Sequence, residues 1–212
     1  MSGSKIHLIR NFKHLARYLY GGSVFCAFDT ETTGLKCLDD YVIEIGAVKF
    51  NKDGVISTFN QLIKPPVCVP SFISNLTGIT DSQLAECPNA SKVMPEFLRF
   101  IDNSILVAHN APFDIGFVNS ELNRSLLPEI SNKVIDTLPL SRWAYPQFAK
   151  KKEKKGQYKL QNLAKRFNID VFNAHRACDD ARVCMEVFLR AVRDTMAVQK
   201  PLVEENNNLF AE

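Results

Sequence analysis

The sequence predicts an α/β fold, and three observations carry the prediction. Val24-Phe25-Cys26-Ala27-Phe28 is a continuous apolar run ending at Asp29, as a central strand covered on both faces requires. Asn51-Lys52-Asp53-Gly54 is a hairpin signal between two β-rich segments. From Asn89 onward, helical apolar stripes alternate with short strand-like runs.

In order along the chain, Phe12, Leu15, Ala16 and Leu19 fall at helical spacing and Gly21-Gly22 closes that helix. The Val24–Phe28 strand follows, then Tyr41–Phe50 and Val55–Ile63, which the hairpin makes consecutive antiparallel neighbours. Pro65-Pro66 and Pro70 break the pattern. Val93, Phe97, Leu98 and Ile101 mark a helix over 89–101, and 104–108 is a fourth strand. Phe117, Val118, Leu122 and Leu126 mark a helix that ends near Pro128, Val134-Ile135 is a fifth strand, and two helices near 160–167 and 176–193 close the chain. The domain reading is an N-terminal helical extension over 1–22, a catalytic domain over 23–195 and a flexible tail over 196–212.

A chain of 212 residues suffices for one domain with a sizeable core. Hydrophobic content of 46%, aromatics at 10% and charged residues at 23% are a globular mix and exclude general disorder. Met1–Arg10 has no apolar signal core, and no window of about 18 apolar residues exists, so the expectation is a cytoplasmic protein without a membrane partner. The six cysteines form no Cys-x-x-Cys pair, which predicts reduced thiols rather than a zinc or disulfide framework. A net charge of +3 supports a nucleic-acid partner only weakly.

The chemistry is carried by acidic residues at positions where the pattern calls for apolar ones. Asp29 and Glu31 are two apart at the end of the buried strand, so their carboxylates share one face; the bland alternative is a solvated turn. Asp114 begins a helix at the edge of its apolar stripe, where a lone Asp would otherwise be a dipole partner. Asp180 lies on the inward face of the last helix with Cys184, Val187 and Ala191, while Asp179 is rotated away towards solvent or a helix-start role. Buried unpaired carboxylates cost several kcal/mol each or take up protons, and a divalent cation removes the problem. Oxygen-only donors point to Mg²⁺ or Mn²⁺, as a pair of ions that clamp a phosphodiester displacement. His175 is five residues before Asp180, placed to take a proton from the attacking water. Asp136 reads as a cap or as a neighbour of the site, and the sequence does not decide what Glu44 does.

Asp29-Thr30-Glu31-Thr32-Thr33-Gly34, His109-Asn110-Ala111-Pro112-Phe113-Asp114 and His175-Arg176-Ala177-Cys178-Asp179-Asp180-Ala181 resemble, in order and spacing, the three motifs of the DEDDh-type DnaQ-like 3′-to-5′ exonucleases, the family of the bacterial DNA polymerase III epsilon proofreading subunit. The resemblance covers about 24–192. It implies an RNase H-like fold, a five-stranded mixed sheet of order 3-2-1-4-5 with the first three strands antiparallel and helices on both faces. It implies that Asp29, Glu31, Asp114 and Asp180 hold two metal ions and that His175 is the general base. Thr32, Thr33 and Gly34 would approach the terminal nucleotide, with His109, Asn110 and Phe113 shaping its pocket. The implied reaction is release of nucleoside 5′-monophosphates from the 3′ end of single-stranded or frayed DNA, in proofreading beside a polymerase catalytic subunit or in repair.

Two other readings stand beside it: a 3′-trimming ribonuclease on the same scaffold, and a non-catalytic nucleic-acid-binding tether for a polymerase. Lys150-Lys151-Lys152-Glu153-Lys154-Lys155 is either a strand-tracking insertion or a solvated loop. The Leu209-Phe210 end of the tail resembles peptides that dock on sliding clamps.

Overall fold

The structure is a computed structural model describing residues 6–149 and 156–199. The Lys150–Lys155 stretch and Leu209-Phe210 lie outside the described residues. In chain order the elements are β1 (His7–Leu8), a 3-10 turn (Phe12–His14), α1 (Leu15–Tyr20), β2 (Phe25–Thr32), β3 (Val42–Asn51), β4 (Gly54–Leu62), α2 (Ser71–Thr77), α3 (Asp81–Leu84), α4 (Ala90–Ile101), β5 (Ile105–Ala108), α5 (Ala111–Arg124), β6 (Lys133–Asp136), α6 (Thr137–Ala144), a second 3-10 turn (Pro146–Ala149), α7 (Leu160–Phe167) and α8 (Ala177–Gln199).

They build one sheet of order β1-β6-β5-β2-β3-β4. The hairpin is present, with β2, β3 and β4 antiparallel, while β5 joins β2 and β6 joins β5 in parallel. The sheet has six strands where the sequence predicts five. The extra one, β1, pairs in parallel with β6 through only His7 and Leu8, too short a run for any periodic signal. The segment read as a purely helical extension therefore also supplies an edge strand. Helices α2 and α3 fall in the proline-broken segment; α3 is set by a Thr80–Gln83 capping box rather than by an apolar stripe.

Alternation along β2 explains the two cores. Phe25 and Ala27 point into a cluster with Leu15, Leu19, Leu140, Leu163 and Phe188, beneath α1, α6, α7 and α8. Cys26 and Phe28 point into the opposite cluster with Phe97, Ile115, Phe117 and Val118, beneath α4 and α5. Continuing the alternation, Asp29 and Glu31 belong to the α8 side and Thr30 to the α5 side. The parallel strands β2, β5 and β6 end together at one edge of the sheet, where the site lies.

Candidate active site

Three strand ends and three helix starts converge at this edge. Thr30 fastens α5 to it: its backbone N–H and its hydroxyl both donate to Asp114 Oδ1, at 3.0 and 2.8 Å, across 84 residues of sequence. Gly46, opposite Asp29 in the register of β3, brings in α8. A Cβ there would stand 2.1 Å from the Cys178 nitrogen and 2.3 Å from the Ala177 carbonyl carbon, so only glycine admits the start of α8 this close to the sheet. Asp180 consequently arrives beside Glu31; ligand atoms of Glu31, His175 and Asp180 all lie within 4.8 Å of one another.

The electrostatics of the cluster are unfavourable as it stands. Burial raises Asp29 well above the usual carboxylate range, and Asp114, Glu31, Asp180 and Glu44 add to the shift. Glu31 is pushed up to about 8 by burial and then by Asp180, Glu44 and Asp114. Asp114 rises to about 7 by burial, against the lowering effect of the two Thr30 bonds. Asp180 is raised by burial, opposed by the His175 N–H that donates to its Oδ2 at 3.2 Å. Its other oxygen, Oδ1, is buried with no hydrogen-bond partner. Hard oxygens crowded together, one of them orphaned, fit a divalent cation.

A cleft of ≈ 520 Å³ opens over this edge, lined among others by Asp29, Glu31, His109, Asn110, Arg142, Tyr158, His175 and Asp180. Asn110 and His175 both take left-handed backbone conformations, φ 67° and 62°, which a non-glycine residue adopts at a cost of about 1–2 kcal/mol.

The residues expected to shape a nucleotide pocket divide. His109 and Asn110 line the cleft. His109 is also a latch, with Nδ1 2.9 Å from the Thr137 hydroxyl and Nε2 2.9 Å from the Tyr158 carbonyl. Burial lowers its pKa to about 4, so the ring is neutral at neutral pH. Thr32, the last residue of β2, and Thr33 and Gly34 after it are buried: the Thr32 hydroxyl donates to the Gly34 carbonyl at 2.6 Å, the Thr33 hydroxyl accepts from the Tyr41 N–H at 3.0 Å, and Gly34 is packed on the Asp40 carboxylate. Phe113 is half-buried and packs on Phe117, ring centroids 4.8 Å apart. Asp136 is a cap: one carboxylate oxygen accepts from the Leu138 and Asn110 N–H groups, joining the starts of α5 and α6.

Sequence reasoning left Glu44 undecided and did not weigh Arg176 or Gly46. Glu44 is fully buried, takes a two-pronged bond from Arg176, with Nη2 2.7 Å from Oε1, and accepts the Ala177 N–H at 3.1 Å. A charge flanked by Ile43 and Ile45 in a strand, and a glycine in the same strand, were the available signals.

A doubly covered sheet whose carboxyl edge carries a carboxylate cluster under a histidine defines a nuclease of the RNase H-like class. The family model described as Exonuclease matches residues 26–188, and the chain belongs to that family, whose activity is metal-dependent 3′-to-5′ exonucleolysis. The chain is 46% identical over 164 residues to the DNA polymerase III epsilon subunit of Treponema pallidum, covering 77% of this chain and 74% of that protein. It is 37% identical to a PolC-type DNA polymerase III of Caldanaerobacter subterraneus, covering 89% of this chain but only 13% of that much longer protein. Exonuclease I shares the fold, with a TM-score of 0.72 at 19% identity over 84% of this chain and 43% of its own. Among the described residues no helix is long and apolar enough to cross a membrane.

Proposed function

We infer that this exonuclease removes nucleoside 5′-monophosphates from DNA 3′ ends, that Asp29, Glu31, Asp114 and Asp180 hold two Mg²⁺ or Mn²⁺ ions, and that His175 is its general base. The observation that carries the reading is the cluster itself, with burial raising all four carboxyls, repulsion from the other members adding to it at Asp29 and Glu31, and one buried oxygen of Asp180 left without a partner. The chemistry such ions supply when bound is neutralisation of the charge that develops on the phosphoryl oxygens.

The protein's own part is positioning and proton transfer. Thr30 aims Asp114, Gly46 admits Asp180, and the Arg176–Glu44 pair anchors the chain next to His175, whose half-buried ring lines the cleft. From there an imidazole takes the proton of the attacking water. Likeness to an epsilon subunit and to PolC-type polymerases supports a proofreading role beside a polymerase catalytic subunit.

The test is digestion of 5′-labelled single-stranded DNA and the matching RNA with Mg²⁺, beside Asp114→Ala. A ladder shortening from the 3′ end, faster on DNA and absent in the variant, is expected; a faster RNA ladder would reassign the substrate to ribonuclease work. His175→Ala is expected to lower the rate by about 10²- to 10⁴-fold with nucleic-acid affinity spared. Full rate at neutral pH in that variant would reject the base assignment.

A further inference from the structure

The chain's positive charge is placed unevenly. Residues 1–28 contain Lys5, Arg10, Lys13 and Arg17 and no Asp or Glu, a formal +4; the other 22 of the 26 Lys and Arg stand against all 23 Asp and Glu, giving −1, so the net +3 originates in this segment. All four cations lie upstream of the matched residues 26–188.

Three of these cations, Arg10, Lys13 and Arg17, are described, and they follow β1 from the sheet edge over which the cleft opens. Because β1, β6, β5 and β2 all run parallel, the chain leaves β1 at the same edge at which Asp29 and Glu31 stand. Arg10, Lys13 and His14 follow there, all exposed, and Arg17 is on the exposed face of α1, whose Leu15 and Leu19 are buried. Phe12 packs against Trp143, ring centroids 5.9 Å apart, and Trp143 is 39% exposed. Its neighbour Arg142 lines the cleft. Four other arginines, Arg124, Arg176, Arg182 and Arg190, each pair with a carboxylate. Among the described residues Arg10, Lys13 and Arg17 form no ion pair, and the segment that carries them has no Asp or Glu to offset their charge locally.

We propose that Arg10, Lys13 and Arg17, with Trp143 and Arg142 as the bridge to the cleft, form a track for the phosphate backbone of the nucleic-acid strand upstream of the 3′ end being trimmed. The proposal rests on the reading of this site as a DNA exonuclease and adds to it where the rest of the strand runs. The span fits: three strand spacings of about 4.8 Å separate β2 from β1, about 14 Å, or roughly four nucleotides of a stacked strand at an axial rise of about 3.4 Å each. Unpaired bases along that path meet an exposed indole on which they stack without sequence preference. The track therefore serves strands longer than a few nucleotides and is idle on shorter ones.

The test compares the unsubstituted protein with the combined Arg10→Gln, Lys13→Gln, Arg17→Gln variant on a labelled DNA of about 20 nucleotides, long enough to reach the track, and on a trinucleotide, which is not. Binding is followed by fluorescence anisotropy in chelator across a salt series, and trimming is followed with Mg²⁺. Affinity for the long strand should drop by about tenfold or more, and the slope of log K against log salt should fall by about 2, three contacts at about 0.7 each. Trimming of the trinucleotide should be unchanged, which also shows that the variant is folded. Unchanged affinity and slope on the long strand overturn the proposal and leave the cationic strip to an acidic protein surface. Absence of Asp114-dependent trimming of either DNA by the unsubstituted protein overturns the exonuclease reading and the proposal together.

Discussion

Glu31 and Glu44 stand opposite each other on neighbouring strands, and the fold treats them in opposite ways. Glu44 is sealed beneath Arg176 and the Ala177 N–H. Glu31 faces the cleft among other carboxyls and is pushed up to about 8. The contrast recurs one turn into α8. Asp179 pairs with Arg182 and accepts the Phe172 and Asn173 N–H groups, both at 2.8 Å, whereas Asp180 keeps a buried oxygen with no partner. The chain supplies counter-ions to Glu44 and Asp179 and no ion-pair partner to Glu31 or Asp180, the pattern expected where buried carboxylates are kept for chemistry rather than for the scaffold.

The largest effect that distinguishes the two classes is on rate. Asp180→Ala should lower exonuclease activity by about 10³-fold or more, about 4 kcal/mol of barrier, while costing the metal-free protein no more than about 1 kcal/mol, since only the His175 N–H bond to Oδ2 is lost and Oδ1 has no partner. A loss of stability well beyond that would place Asp180 with the scaffold.

The same division sets the pH response. Carboxyls at about 8 for Glu31 and about 7 for Asp114 hold protons in the folded state that the unfolded chain, near 4, releases. Their stabilising contribution is present below about pH 4 and is lost as pH rises through 7 to 8. Chelated protein should therefore melt several degrees lower at about pH 8.5 than at about pH 5.5, and divalent ion should restore more at the higher pH. Equal melting temperatures in chelator at both pH values would mean that the cluster carries no excess protons.

Two positions connect the classes. Gly46→Ala forces the start of α8 off the sheet because the clashing atoms are backbone. Stability should drop by about 1–3 kcal/mol, and rate by about 10²-fold if Asp180 is displaced by about 1 Å; a fall in stability without a fall in rate would show that α8 can shift without moving the site. Arg176→Ala strips Glu44 of its counter-ion. Full removal of one partner from a buried pair costs about 3–5 kcal/mol, and because the Arg176 side chain is 40% exposed the expectation is lower, about 2 kcal/mol on chemical denaturation. Stability unchanged in that variant would mean that the Ala177 N–H alone suffices for Glu44.

How much of this was legible in the sequence follows the same line. Asp29, Glu31, Asp114 and Asp180 were readable because each interrupts an apolar pattern, and the strand order followed from the family resemblance together with one hairpin signal. Glu44 interrupts a pattern just as visibly, yet its partner Arg176 is 132 residues away, and no local rule joins them. Gly46 reads as any glycine in a strand until α8 is seen against it. His109 looked like a pocket residue; its tie to the Tyr158 carbonyl crosses 49 residues and makes it a latch as well. Periodicity reveals which face a residue is on, and pairing across the fold decides what it does there.

Asp179→Asn is the smallest change and the sharpest control. The amide keeps an oxygen for the Phe172 and Asn173 N–H groups and loses only the ion pair to Arg182, a half-buried i,i+3 contact. Such pairs are worth about 0.3–1 kcal/mol, so the melting temperature should move by a few degrees at most, and the rate should stay within about threefold, because the side chain faces the 170–173 loop and not the cleft. A rate loss matching that of Asp180→Ala would mean that the two adjacent aspartates exchange roles when substrate binds, and the boundary between scaffold and chemistry would then run between different residues of α8.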